Sequence, residues 1–236
     1  MRRLILGFAA LAPLLTIALW RWSWPAAIGV LALSHALVLI PTLCPNVQWL
    51  GPVITRFSTD AKEVWLTIDD GPAGDTEAVL DVLAQRGVVA TFFVVGRKVP
   101  PSIEALGHTV ANHSASHPSA TFWCLPPRAI AAQIDGGVES RWFRAPVGMK
   151  NPFVHPALAR RGMRLIGWSV RGLDTIGDDV DRVARRIVPR VDAGSIIVMH
   201  QGRAISAKCI ARVVDELRAR GYSFVIPSDD RLKTNR

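Results

Sequence analysis

One stretch constrains the fold more than any other. Val64-Trp65-Leu66-Thr67-Ile68-Asp69-Asp70-Gly71-Pro72 runs apolar and β-branched residues straight into two adjacent carboxylates, and Gly-Pro then stops it. Such a run, ended by a turn dipeptide, predicts a buried strand that delivers Asp69 and Asp70 at its C-terminal end, where parallel α/β folds place their chemistry. Neighbours on a strand point to opposite sides, so two adjacent carboxylates can take different jobs only where the strand is ending and the chain turns. One is then free to bind a metal while the other acts as a base. Asp-Gly and Gly-Pro are also ordinary turn chemistry, and the pair alone does not choose between these readings.

The residues after this strand set the fold class. Asp75 predicts a helix cap ahead of Ala78, Val79, Val82 and Leu83, which recur at helical spacing up to Gly87. Residues 88–95 (VVATFFVV) then predict a second buried strand. Strand, helix, strand is a βαβ unit, so the chain is α/β with a parallel sheet at least here. Further strands are predicted over 163–170, 195–199 and 222–226, and helices over 178–189 and 204–220.

Two histidines supply the next constraint. His113 and His117 are four apart in a chain with only six His, a spacing that lets both imidazoles face one point on a helical turn or curled loop. With one carboxylate they make a two-His, one-Asp site that leaves a position open for water. Asn112 is expected to bond backbone near these ligands, and His108 to be a structural or surface residue. Arg144, in Arg141-Trp142-Phe143-Arg144-Ala145-Pro146-Val147-Gly148, is placed at the end of a short strand. There it can hold a carboxylate bidentately and keep it ionised, or form a surface salt bridge. His200 ends the strand Ser195-Ile196-Ile197-Val198-Met199, placed as a catalytic His would be.

The front of the chain is of another kind. Between residues 4 and 43 the only formal charge is Arg21, and the apolar runs 4–20 and 24–43 approach the ~20 residues a helix needs to cross a bilayer. Trp20, Arg21, Trp22, Ser23, Trp24 and Pro25 between them have the character of an interfacial turn, which predicts a membrane hairpin. A signal peptide is the rival reading, opposed by the lack of a small-x-small cleavage site. His35, beside Ser34 within the second run, is expected to bond to the other helix as a neutral imidazole. Arg2, Arg3 and Arg56 against Arg21 in the turn favour a catalytic domain on the cytoplasmic face of a bacterial-type inner membrane.

The formal net charge is +9. Arg2, Arg3 and Arg21 are the only charges in residues 1–43, which leaves +6 on residues 44–236. A basic domain on an apolar anchor suits an anionic membrane surface or a phosphorylated lipid carrier. No basic run or nucleic-acid motif argues for nucleic acid as a partner. Cys44, Cys124 and Cys209 are widely spaced and form no disulfide framework.

Taken together, TIDDGP, HSASH, FRAPVG and IIVMH stand in the order of the polysaccharide deacetylase family, the NodB-homology or family four carbohydrate esterases, which residues 62–227 resemble. The resemblance implies a distorted (β/α) barrel, a divalent metal, commonly zinc, and hydrolysis of N-acetyl groups on amino sugars of a polysaccharide or lipid-linked saccharide. It makes Asp69 the general base, Asp70, His113 and His117 the metal ligands, Arg144 the residue that orients Asp69, and His200 the general acid. Val147, Val198 and Asp174 are grouped with the substrate pocket: Val198 takes the place of the family's leucine and Val147 replaces its tyrosine. A backbone N–H near Val147 would face the tetrahedral oxyanion. In Trp168-Ser169-Val170-Arg171-Gly172-Leu173-Asp174-Thr175 the pattern departs, because Arg171 stands where an Asp would tune the histidine and Thr175 replaces a Trp. Either Asp174 partners His200 or that imidazole is tuned differently. Two connections, 96–107 and 133–143, are short for the family. The domain plan is an anchor over 1–43, a linker over 44–61, the catalytic domain over 62–227 and a polar tail over 228–236. A deformylase on a lipid-linked amino sugar and a non-catalytic saccharide-binding relic are the alternatives.

Overall fold

The computed structural model of the chain describes residues 1–177 and 179–234. Two long helices, α1 (Arg2–Trp20) and α2 (Trp24–Leu43), form an antiparallel hairpin ahead of everything else. Both are long and apolar enough to cross a membrane. They are not the core of a soluble domain, because Leu4, Leu14 and Ile17 of α1 and Trp24 and Leu33 of α2 are largely exposed. Apolar surface on that scale calls for lipid or a partner. Thr16 stitches the hairpin by donating to Ala27 O at 3.4 Å as well as to Ala12 O in its own helix. His35 differs from expectation: its Nδ1 donates to Leu31 O in its own helix at 2.8 Å, as Ser34 does, because a helical carbonyl one turn back is within reach without any partner helix.

The remaining elements run β1 (Ile54–Phe57), β2 (Glu63–Gly71), α3 (Thr76–Gln85), β3 (Thr91–Val94), α4 (Ser102–Ala105), β4 (Thr109–Asn112), α5 (Pro127–Asp135), β5 (Trp142–Phe143), α6 (Val154–Ala159), β6 (Arg164–Leu165), β7 (Val170–Arg171), α7 (Val180–Ile187), β8 (Ser195–His200), α8 (Ser206–Ala219), β9 (Ser223–Phe224) and β10 (Leu232–Thr234). The sheet order is β10-β1-β8-β2-β3-β4-β5-β6, with β7 on β8 and β9 on β2. Each successive pair in the run β8, β2, β3, β4, β5, β6 is parallel, and β1 is antiparallel to β8 and β10. A parallel bridge between Ile54 and Ile166 brings the far edge back to β1, so the sheet curls into a distorted barrel.

Alternation along the strands decides what lies inside. On β2, Val64, Leu66 and Ile68 pack against α3, α7 and α8 in the outer core, while Trp65 joins Phe93, Ala111, Trp142, Ile196 and Val198 in the inner one. Asp69 follows Trp65 and Thr67 at intervals of two and therefore points inward. The same parity carries His113 inward after Ala111, Arg144 after Trp142, and His200 after Ile196 and Val198.

Several expectations shift. The segment read as a linker contains β1, and the one read as a tail contains β10, whose pairing covers the β1 edge that would otherwise be left unpaired. The strand expected over 163–170 divides into β6 and β7, because the chain between them turns aside to bond β1 and β8, through Gly167 N to Ile54 O and Ser169 N to Ile196 O. The helix expected from 178 begins at Val180, capped by the Asp179 side chain on Arg182 N at 2.9 Å, and Asp178 lies outside the described residues. Asp75 stands at the N-cap of α3 without capping it, since its carboxylate accepts from Gly202 N at 2.8 Å instead.

Candidate active site

The C-terminal ends of β2, β4, β5 and β8 converge on one cavity of about 210 Å³, lined by Asp69, Asp70, His113, His117 and His200, and on the far side by Val147, Gly148, Trp168, Arg171, Leu173, Thr175 and Val198. A larger groove of about 1100 Å³ lies elsewhere and contains no histidine. Chemistry belongs to the smaller one, because it gathers three histidines around the adjacent Asp69 and Asp70.

Asp69 and Asp70 reach the same cavity through a local distortion. Asp70 has φ +69°, and the register of β2 against β3 shifts between Ile68 and Gly71. A bulge with one left-handed residue turns the second carboxylate round to the side of the first. His117 and Val147 also sit at positive φ, +49° and +48°. Each such residue costs of order 1–3 kcal/mol, and such strain collects at functional sites.

Asp70, His113 and His117 bring their ligating atoms within 4.8 Å of one another. His113 Nδ1 donates to Arg144 O at 2.8 Å; a carbonyl only accepts, so Nδ1 carries a proton and Nε2 is the nitrogen left facing the cavity. That Nε2 lies 3.4 Å from Asp70 Oδ1, and His117 Nε2 lies 3.3 Å from the same oxygen. Asp70 Oδ1 is buried without a hydrogen-bond partner. Burial opposes the Asp70 charge, but His113, His200 and His117 outweigh it and hold the carboxyl at about 2. Burial, reinforced by His113, pulls the His117 pKa down, which favours its neutral form. An orphaned carboxylate oxygen beside two imidazole nitrogens is a donor set that fits a divalent cation. Asn112 supports it from behind: its Nδ2 donates to Ile134 O and Val138 O, and its Oδ1 accepts from Ser114 N.

Asp69 is held differently. Arg144 Nη1 donates to Asp69 Oδ1 at 2.6 Å and to Thr67 Oγ1 at 2.7 Å, while Nε and Nη2 go to Ile166 O and Gly167 O. Both side chains are buried, so this is no surface salt bridge, and the grip on Asp69 is one-handed rather than bidentate. The guanidinium lies 4.1 Å from the centre of the Phe93 ring. Burial pulls its pKa down against the nearby carboxylate. Asp69 Oδ2 is left facing His113 Nε2 at 3.8 Å.

His200 stands beside Asp69 across the β2–β8 ladder. Asp174 grips it twice: Oδ2 accepts from His200 N at 2.7 Å and Oδ1 pairs with Nδ1 at 3.0 Å. Burial alone would lower the imidazole pKa, but the Asp174 hydrogen bond and charge, with Asp69 and Asp70, raise it to about 9. Asp174 is buried behind the histidine and does not line the cavity, which corrects its grouping with the substrate pocket. Val147 and Val198 do line it. Arg171 extends from β7 into the cavity wall, and Thr175 lines it too.

Sequence reasoning missed Thr67, which splits the Arg144 donor with Asp69, and Gln201, whose N–H donates to Asp69 O at 3.2 Å. Parity on β2 was the signal for Thr67. His108 is structural: its Nδ1 accepts from Ala90 N at 3.2 Å, and burial lowers its pKa.

Comparison with known proteins adds a family. A chitooligosaccharide deacetylase of Bradyrhizobium sp. (strain ANU 289) is 32% identical over 186 residues, covering 71% of this chain and 84% of that protein. The chain belongs to the polysaccharide deacetylase family. The polysaccharide deacetylase profile matches residues 57–166. A peptidoglycan-N-acetylglucosamine deacetylase of Bacillus cereus is 28% identical, covering 76% of this chain and 92% of that one. Among solved structures, a family 4 carbohydrate esterase from Streptomyces lividans in complex with acetate superposes with TM-score 0.66 at 27% identity, over 75% of this chain and 98% of that chain. In this polysaccharide deacetylase the distorted barrel is that of the family, and the two helices stand ahead of it.

Proposed function

We propose that the chain is a membrane-bound, metal-dependent carbohydrate N-deacetylase that removes acetyl groups from amino sugars, polymeric or lipid-linked. The observation that carries this is the convergence of Asp70, His113 and His117 around one point, with Asp69 on one side and His200 on the other. The names of its relatives agree, since they act on chitooligosaccharide and on peptidoglycan N-acetylglucosamine.

Asp70, His113 and His117 would hold a divalent cation, with zinc the expected ion; when bound it polarises the amide carbonyl and makes a water more acidic. Asp69 takes the proton of the attacking water on Oδ2, because Oδ1 is committed to Arg144. Arg144 fixes that carboxylate's rotamer. Backbone N–H at Val147 faces the developing oxyanion, and Val198 receives the acetyl methyl. His200, held through Nδ1 by Asp174, offers the Nε2 proton to the departing nitrogen, so that water and amide become acetate and amine. At a pKa of about 9 it carries that proton at neutral pH.

The exposed apolar hairpin supports membrane attachment. Arg2, Arg3 and Arg56 support the cytoplasmic face. An impermeant thiol reagent that modifies an engineered exposed cysteine in intact cells would overturn that orientation. The activity test is release of amine from N-acetylglucosamine oligomers, lost on chelation and restored by zinc; unchanged rates in Asp69→Ala or His113→Ala overturn the mechanism. Faster turnover of the N-formyl analogue would move the reading to a deformylase.

A further inference from the structure

The helix hairpin does not hang from a free linker. Lys150 is fully buried, and its Nζ donates to Cys44 O at 3.0 Å and Pro45 O at 2.7 Å, while its backbone N–H donates to Thr42 O at 3.0 Å. The ammonium thus holds the two carbonyls just past the end of α2, and the Thr42 carbonyl of the helix itself is taken by the Lys150 backbone N–H. Gly148, two residues earlier and part of the cavity wall, has φ +74°, and a Cβ there would stand 2.6 Å from Pro45 and from Trp168. Asn46 Nδ2 adds a bond to Trp168 O at 2.7 Å. The cavity is therefore fixed in distance from the point where α2 ends.

Between those two points runs a second groove of about 440 Å³, lined by Cys44, Pro45, Asn46 and Val47 just past α2, and by Trp168 and Arg171. Trp168 and Arg171 line the catalytic cavity as well, so the two spaces share a wall. Val170 packs into the outer core and Arg171, next on β7, faces the other way, beside Val198 of β8. Its guanidinium is exposed and has no hydrogen bond or ion pair among the described residues, in a chain whose other site cations are committed. The groove contains no carboxylate. A fork of donors at the joint between a sugar-sized cavity and a path to the membrane end of a helix matches a phosphate ester.

We infer that Arg171 and the groove from Trp168 to Cys44 form a subsite for the phosphodiester of an amino sugar joined through phosphate to a membrane lipid, with the sugar in the catalytic cavity and the lipid leaving along the end of α2. This rests on the deacetylase reading and narrows it from polymers to phosphate-linked sugars. Arg171 is a specificity-determining residue, selecting the substrate by charge rather than taking part in the acyl chemistry.

The test uses the full chain in neutral detergent micelles with three substrates: an N-acetylglucosamine 1-phosphodiester bearing a long alkyl chain, the same sugar as a neutral alkyl glycoside, and the short methyl phosphodiester in solution. Wild type is expected to favour the charged over the neutral alkyl substrate at least about tenfold in kcat/KM, one good charge-assisted contact. Arg171→Gln collapses that ratio toward unity, and Arg171→Lys keeps part of it. The short diester measures how much comes from phosphate alone and how much from the lipid path. Equal rates on both alkyl substrates in wild type, or a ratio unmoved in Arg171→Gln, overturn the subsite and leave the deacetylase standing. No amine from any substrate, with the zinc site filled, overturns both.

Discussion

Replacing Asp174 by Asn tests the pairing behind His200 with little change of shape. In the folded chain the imidazole rises from 6.5 to about 9 against the pull of burial, which at about 1.4 kcal/mol per pH unit is a preference of about 3 kcal/mol for the protonated ring. Because the folded value is the higher one, that stabilisation is complete below pH 6.5 and is lost as pH rises through about 9. Asn keeps an acceptor for His200 N–H, but its amide then presents N–H to Nδ1, an arrangement that suits only the neutral ring. The alkaline limb of kcat/KM, which reports the free enzyme, is expected to move down by about two pH units. Near pH 8 the protonated share falls from roughly nine-tenths to one-tenth, a loss of about tenfold, while near pH 6 the rates converge. Amine release measured from about pH 6 to about pH 10, on protein of equal zinc content, reads this directly. A limb left in place, or an equal loss at every pH, would mean that Asp174 does not set the His200 proton.

Asp69→Asn should lower kcat by ~10²–10⁴ with metal content unchanged, whereas His113→Ala should lose bound zinc by elemental analysis as well as activity. Arg144→Met strands Asp69 in the barrel interior, and breaking a buried pair costs ~3–5 kcal/mol. The midpoint of thermal unfolding should fall by about 10 °C, and a drop under about 2 °C would show that Thr67 and water suffice to hold the carboxylate.

Much of the site was legible because alternation is a strict rule: once 64–72 and 195–200 were strands, the inward places of Asp69 and His200 followed. The TIDDGP, HSASH and FRAPVG strings supplied the rest of the cluster. β4 escaped notice, since Thr109–Asn112 is short and its own alternation is weak, and β1 and β10 escaped because their pairing is with residues far along the chain. The partner of His200 could not be chosen from the sequence. Leu173 adopts φ +56°, a backbone turn that swings Asp174 under the histidine and that no periodicity announces. The bonding of His35 to its own helix was a matter of reach rather than pattern.

The Lys150 strut has a practical consequence for anyone seeking an easily handled enzyme. Clipping off the helices removes the Thr42 carbonyl that the Lys150 backbone N–H satisfies and leaves Cys44 and Pro45, which the ammonium and the glycine corner grip, as a loose chain end, so the wall bearing Val147 loses its buttress. Kinetics gathered on such a fragment would describe a slackened cleft, and a weak fragment would say little about the intact chain.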